Sequence, residues 1–155
     1  MSALPRVEDA PAPWLGRRIR RILLATDLSP ASRGAGEQAL GLATDLGADL
    51  LVVSVIDPAS ELAGPVVTRM DQRRAARELA AQAVVVEGRR SGVNVTFLVW
   101  EGEPGPAIVE AAAAERADLV IVGSRGRNRV ERLVLGSVSD HVVRHSTCPV
   151  LIVRG

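Results

Sequence analysis

The chain contains no lysine, because all 19 of its basic residues are arginine. A P-loop needs a lysine that reaches the nucleotide phosphates, and protein kinases and Schiff-base enzymes also depend on a lysine. These three classes of protein are therefore excluded. Any phosphate that this chain binds has to be held by backbone amides, hydroxyl groups, arginine or a metal ion.

Aromatic residues are almost as scarce, with two tryptophans, one phenylalanine and no tyrosine. Proteins that bind single-stranded nucleic acid by base stacking need several aromatic side chains on one surface. The net charge of +1 also gives no broad electrostatic attraction to nucleic acid or to anionic membranes. We therefore expect neither a nucleic acid nor a membrane among the partners of this chain.

The chain has a single cysteine, Cys148, which rules out an intramolecular disulfide and a zinc site built from several cysteines. The N-terminus does not have the basic and apolar regions of a secretory signal. No apolar run approaches the roughly 18 residues that a membrane-spanning helix requires. A cytoplasmic protein is the simplest expectation.

What the chain does contain is typical of one globular domain: 155 residues, of which 47% are apolar and 24% charged. Residues 1–16 are rich in proline and alanine and show no periodicity, so we predict a flexible N-terminal arm. Residues 17–155 form the predicted domain.

Five short aliphatic runs are predicted to be β-strands. Four of them are almost continuously apolar, which is typical of parallel strands covered on both faces. The third run alternates apolar and polar residues, which favours a sheet edge that is covered on one face only. The runs are Ile22–Ala25, Leu50–Ile56, Val93–Val99, Leu119–Val122 and Val150–Val153.

Four helices are predicted between the strands. The first has Ser29 as its N-cap, Pro30 at its opening position and Gly47 just past its end. The third covers Pro106–Arg116, and the fourth begins near Ser137 with Val138 and Val142 on its buried face.

The second predicted helix, around Arg69–Arg90, has two distinct residue patterns. Arginines at fourfold spacing predict a solvated face, and apolar residues at helical spacing predict the buried face. The arginines are Arg69, Arg73 and Arg77, and the apolar residues are Leu79, Ala83 and Val86.

Alternating strands and helices predict an α/β fold with an open parallel sheet, right-handed crossovers and helices on both faces. In such Rossmann-like folds ligands bind beyond the carboxyl ends of the strands.

Glycines follow the fourth predicted strand at a regular spacing. Gly123 and Gly126 are followed by nine residues and then by Gly136 and Ser137, which open the last helix. Glycine lets backbone amides approach an anion, and a helix N-terminus favours phosphate. The hydroxyls of Ser137 and Ser139 can add hydrogen bonds, and positive charge is available from Arg125, Arg127 and Arg129. The structural alternative is that Gly123 and Gly126 only shape a turn and that Gly136 only starts a helix.

Taken together, the pattern Gly-x2-Gly-x9-Gly-Ser resembles the nucleotide motif of the ATP-binding branch of the universal stress protein family. The resemblance extends to ILLATDLSP at the first strand, VVSVID at the second and CPVLIV at the end, and it covers about residues 18–155.

The resemblance implies a five-stranded parallel sheet of order 3-2-1-4-5 and an ATP site at the switch between strands one and four. Ala25 and Asp27 would line the adenosine end, and the backbone of Val55 would contact the base. Val122 and Gly123 would lie along the nucleoside. The resemblance also allows a Mg²⁺ ion to bridge the phosphates. The phosphates would be held by Gly126, Gly136, Ser137, Val138 and Ser139, with Arg125 as a nearby cation.

Three functions are compatible with these residues. The first is an ATP-binding stress-response regulator that is not an enzyme and acts on an unknown protein partner, since no general base or nucleophile accompanies the phosphate motif. The second is a slow Mg²⁺-dependent ATPase, and the third is an interaction module that binds no nucleotide.

We also predict a homodimer through the edge strand Val150–Val153, because an uncovered apolar edge invites association.

Two alternatives concern single residues. Asp27 can satisfy amides of the following turn instead of binding a ligand. His141 and His145 have a spacing that can bind zinc, although two exposed histidines beside a buried Cys148 thiol are the simpler interpretation.

Overall fold

The computed structural model describes residues 18–60, 66–124 and 135–154. The N-terminal arm 1–16 and the predicted ligand residues Arg125 and Gly126, together with Arg127 and Arg129, lie outside the described residues. In chain order the elements are β1 (Arg21–Ala25), α1 (Arg33–Leu46), β2 (Asp49–Ile56), α2 (Val66–Arg90), β3 (Val95–Glu101), α3 (Pro104–Ala114), β4 (Leu119–Gly123), α4 (Ser137–His145) and β5 (Val150–Val153).

The five strands form one parallel sheet, as the sequence predicts, and its order β3-β2-β1-β4-β5 is the one that the family resemblance implies. Successive side chains along each strand point to opposite faces of the sheet, and they form two separate apolar clusters, one on each face. The first cluster joins the sheet to α1 and α2, and the second joins it to α3 and α4. Both faces are therefore covered by helices, and the central strands are buried on both sides.

Alanine forms much of the contact between helices and sheet. Ala35, Ala39 and Ala43 follow one another at fourfold spacing on α1 and are all buried against the sheet. On the other face of the sheet, Ala111 and Ala112 of α3 are also buried in the contact between helix and sheet. Such small side chains let the helix axes approach the strands closely, which compensates for the lack of aromatic residues in filling the core.

The predicted start of the first helix is wrong. Pro30–Ser32 forms a separate 3₁₀ turn and α1 begins at Arg33, and the side chain of Ser29 makes no capping hydrogen bond. The predicted end is confirmed, because Gly47 has φ 62°, the left-handed conformation that glycine adopts without strain. The third helix also starts two residues earlier than predicted, at Pro104.

The predicted orientation of α2 is also wrong. Leu79 and Val86, expected to face inward, are 69% and 46% exposed, and Ala83 is exposed too. Ala81 and Gly88 are buried instead, and the predicted solvent-facing Arg77 turns toward the sheet, where it donates a hydrogen bond to the buried hydroxyl of Ser54. At Gly88 an added Cβ would overlap the side chain of Val95, so the helix contacts β3 through a residue without a side chain.

β3 lies at the sheet edge as predicted, but the prediction that only one of its faces is covered is wrong. Val95 and Phe97 pack against the first cluster, whereas Leu98 and Trp100 pack against the second. Side chains on both faces are half-buried because α2 and α3 each reach this edge. None of the helices in the described residues combines the length and the apolar character needed to cross a membrane.

Candidate functional site

The ends of β1 and β4 lie side by side at the switch point of the sheet. Ala25 is paired with Val122, and both side chains belong to the second apolar cluster. Val55, near the end of β2, packs against the same cluster. Gly123 is the last residue of β4. Four of the five residues predicted to line the nucleoside thus lie near the carboxyl ends of neighbouring strands, and the side chains of Ala25, Val55 and Val122 are on the α3 and α4 side of the sheet.

The turn after β1 is held by a set of short hydrogen bonds. The Oδ1 atom of Asp27 accepts a hydrogen bond of 2.9 Å from the amide of Ser29. The Thr26 hydroxyl accepts from the amide of Leu28 at 3.0 Å and donates to the hydroxyl of Ser32 at 2.9 Å. The turn-stabilising interpretation of Asp27 is confirmed, and its contact with a ligand stays a prediction.

Leu28 adopts a backbone conformation that the sequence does not reveal. Its φ is 60°, which is unfavourable for a residue with a branched side chain. Outliers of this kind persist where the surrounding structure fixes them, and they cluster at functional sites. Here the hydrogen bond from its amide to Thr26 stabilises the turn that places Asp27 at the switch point.

The start of α4 is attached directly to the end of β4. The amide of Gly136 donates a hydrogen bond of 3.1 Å to the carbonyl of Ser124, and the Ser139 hydroxyl donates to the carbonyl of Gly136 at 3.0 Å. Ser139 is only 3% exposed, so its hydroxyl stabilises the helix start, whereas Ser137 is exposed. Val138 is half-buried against the second cluster, and Val142 is fully buried there as predicted.

Neither the backbone nor packing within the described residues requires glycine at position 136. Its φ and ψ are −59° and 157°, which any residue adopts. An added Cβ would lie 3.5 Å from the carbonyl oxygen of Ser124 and 3.6 Å from the hydroxyl of Ser139, which are ordinary contacts. A glycine that the described residues do not require is suited to a close approach of an anion to the neighbouring amides.

The first amides of an α-helix have no partner within the helix and carry a partial positive charge. In α4 these amides belong to Ser137, Val138 and Ser139. The acidic side chain in this turn, Asp140, is paired with Arg144 at 2.9 Å along the helix. The helix start is therefore chemically suited to an anion.

The remaining candidate residues form no second site. The Oδ1 atom of Asp57 accepts a hydrogen bond of 2.8 Å from the amide of Ala59, so it caps the loop after β2. The rings of His141 and His145 stack with centroids 4.1 Å apart. Within residues 18–60, 66–124 and 135–154 no three potential metal-binding side chains form a group. Cys148, expected to be buried, is half-buried and lies 3.5 Å from the hydroxyl of Ser146.

Comparison with known proteins identifies the class to which this fold and site belong. The universal stress protein family model matches residues 18–154, and this chain belongs to that family. A universal stress protein of Thermus aquaticus, named for its position in the QAH/OAS sulfhydrylase 3′ region, is 38% identical over 138 residues, which are 87% of this chain and 98% of the relative.

Solved structures agree with this assignment. UspA of Lactobacillus plantarum superimposes with a TM-score of 0.80 at 26% identity, covering 89% of this chain and 99% of its own. A universal stress protein solved in complex with cAMP has a TM-score of 0.70 at 26% identity, covering 88% and 98% of the two chains. Binding of an adenine nucleotide is thus known for a protein similar to this one.

Proposed function

We propose that this chain is an ATP-binding regulator in the cytoplasm, in which nucleotide occupancy changes the surface offered to a protein partner. The observation that carries the proposal is Gly136. No contact among the described residues requires glycine there, whereas a phosphate lying on the amides at the start of α4 would require it. This position also completes the Gly-x2-Gly-x9-Gly-Ser pattern that is typical of the ATP-binding branch of the family.

The nucleotide would lie along the switch point. The adenosine would occupy the space beside Ala25, Asp27 and Val55, where β1 and β2 end on one face of the sheet. The triphosphate would then extend over Gly123 toward Gly136. This direction brings the negative charge to the positive end of α4, and Arg125 and Gly126 would complete the phosphate contacts.

A Mg²⁺ ion fits this arrangement only as a companion of the phosphates. Mg²⁺ usually keeps several waters and binds through one or two carboxylates together with phosphate oxygens. Asp27 is the carboxylate that we place in the site, and it belongs to the adenosine end. The protein would therefore hold the ion through the nucleotide.

The side chains near the proposed phosphate position favour nucleotide binding over hydrolysis. Asp140, the carboxylate nearest to the proposed phosphate position on α4, is paired with Arg144, and the ring of His141 is packed near Gly105 of α3. No general base is therefore assigned to the attacking water. The relative solved with cAMP supports an adenine-nucleotide pocket and makes cAMP the natural competitor to test against ATP.

The experiment is isothermal titration calorimetry with ATP on the native chain and on Gly136→Val. The valine side chain would occupy the phosphate position, so we expect a loss of affinity of more than about 100-fold, which corresponds to ~2.7 kcal/mol. Gly41→Val is the matched control, because a Cβ at Gly41 in α1 meets no atom within 4 Å.

Three outcomes are informative. Equal affinities of the native chain and Gly136→Val would contradict the assigned phosphate site, and the absence of ATP binding to the native chain would favour an interaction module. ATP turnover at about 1 per second or faster, the range of ordinary enzymes, would place the protein among ATPases. Mass spectrometry of nucleotide that copurifies with the protein would identify the natural ligand.

A further inference from the structure

A cavity of about 440 Å³ lies between α1 and α2, on the face of the sheet opposite to the candidate nucleotide site. Its volume is within the range of pockets that bind small molecules. Its walls are mainly apolar, with the side chains of Leu24, Leu28, Leu40 and Val84 and the small residues of both helices.

Side-chain alternation separates this cavity from the nucleotide site. Leu24 lines the cavity and belongs to the first apolar cluster, whereas the next residue, Ala25, belongs to the second. Leu40 and Val84 pack against the first cluster, but Val55 and Val122 belong to the second. The two spaces are therefore on opposite sides of the sheet.

The end of the cavity near the carboxyl end of β1 is polar. Thr26, Ser29 and Ser32 contribute hydroxyl groups there, and Arg33 begins α1 at the same end. The Ser29 hydroxyl is buried and has no hydrogen-bond partner among the described residues, which is unfavourable unless a ligand supplies one. Arg33 is exposed and forms no ion pair with the described part of the chain.

The charged residues along the cavity determine how an anionic ligand would be oriented in it. Glu37 lies one turn after Arg33 on α1, and Glu87 lines the cavity from the later part of α2, 3.9 Å from Arg90. The carboxylates of Glu37 and Glu87 repel an anionic group from the middle and the far end of the cavity. Arg33, the Ser29 hydroxyl and the first turn of α1 attract an anionic group to the near end.

We propose that this cavity is a second ligand site, which binds a medium-chain aliphatic carboxylate. The carboxylate would lie beside Arg33 and accept a hydrogen bond from the Ser29 hydroxyl, because the hydroxyls of Thr26 and Ser32 already donate within the turn. The aliphatic chain would extend between the two helices toward Leu40 and Val84. Burial of the chain supplies most of the affinity, and the charged end determines the orientation.

The test is a titration of the full chain with octanoate, followed by amide chemical shifts and by calorimetry. Gly36 of α1 lines the cavity, and a Cβ there would meet only Leu24 at 3.9 Å, so Gly36→Leu fills the cavity without a backbone clash. We expect saturable binding by the native chain and its loss in Gly36→Leu. Gly41→Leu makes the same change on the exposed side of the same helix and should bind as the native chain does.

A second variant tests the charge without altering the apolar walls. Because Arg33 is exposed, Arg33→Gln keeps the fold, and we expect octanoate to bind about fivefold to tenfold more weakly. Octylammonium, which has the same chain length and the opposite charge, should bind more weakly than octanoate to the native chain. Gly136→Val should bind octanoate normally, which separates this site from the nucleotide site.

The proposal is wrong if Gly36→Leu and Gly41→Leu bind octanoate equally, since binding would then lie elsewhere. It is also wrong if octylammonium binds as tightly as octanoate, or if the native chain shows no saturable binding.

Discussion

Asp27 combines two requirements in one side chain. Its Oδ1 atom already accepts a hydrogen bond from the amide of Ser29, which stabilises the turn after β1. The same residue stands at the switch point, where a ribose would present its hydroxyl groups. A carboxylate has lone pairs on two oxygens, so one residue can serve both the turn and a ligand.

Two substitutions separate these roles. Asp27→Asn keeps the side-chain oxygen that accepts from Ser29, whereas Asp27→Ala removes it, so only the alanine variant should lower the free energy of unfolding, by about 1 kcal/mol. Both variants should weaken ATP binding severalfold, because both remove the negative charge beside the ribose. Urea denaturation and calorimetry measure the two effects independently.

Native ATP affinity in Asp27→Asn would show that the carboxylate charge is not used by the ligand. Native stability in Asp27→Ala would show instead that the turn does not depend on the Ser29 hydrogen bond. Each half of the interpretation can thus be overturned without the other.

Residue-scale features that depend on tertiary contacts escape prediction from the sequence. The inward direction of Arg77 is one example: its partner, the buried hydroxyl of Ser54, lies 23 residues earlier in the chain. The positive φ of Leu28 also escapes prediction, although its hydrogen bond to Thr26 is local, because leucine has no intrinsic preference for that conformation. By contrast, Gly47 was predictable because a helix end with positive φ favours glycine for local reasons.

At the scale of single elements, β5 forms an open edge of the sheet. It pairs with β4 on one side and ends the sheet order on the other. The carbonyls of Pro149 and Val153 accept hydrogen bonds from β4, so the peptide groups of alternate residues, including Ile152, are directed away from it. The side chain of Leu151 is 36% exposed beside this edge.

We expect two copies of the chain to pair through β5 about a twofold axis, because this arrangement satisfies both open edges at once. Ile152→Pro removes an outward-directed amide and should convert the dimer to a monomer in size-exclusion chromatography with light scattering. Ile152→Ala shortens the same side chain but keeps the amide, so it should remain dimeric. A native chain that is monomeric at micromolar concentrations would contradict the proposed pairing.

Helix α2 shows why an apolar pattern alone misassigned an element. Leu79, Ala83 and Val86 are the residues that hydropathy favours as the buried stripe. The edge strand β3 instead requires close contact at Gly88, where an added Cβ would overlap Val95, and Ala81 is the buried apolar residue one helix face away from Leu79. The arginine on this face has enough aliphatic chain to cover the sheet and still reach a polar partner.

At the scale of the whole molecule, the strand order and the two-sided cover of helices followed from the sequence. Continuous aliphatic runs separated by helical segments leave few alternatives to a parallel doubly wound sheet, and the family resemblance specified its order. That order makes β1 and β4 neighbours, and the structure adds the register that pairs Ala25 with Val122. The cavity between α1 and α2 was not predictable, because it depends on how two helices that are separated along the chain by β2 are placed relative to each other.

The pairing of Val55 with Trp100 has a practical consequence for spectroscopy. The chain has no tyrosine and only two tryptophans, and Trp100 lies on the same face of the sheet as the predicted base-contacting residue. In Trp14→Phe all of the intrinsic fluorescence would come from this one half-buried indole. The protein thereby contains its own optical probe, one strand away from the proposed adenine, and binding can be followed without attaching a label.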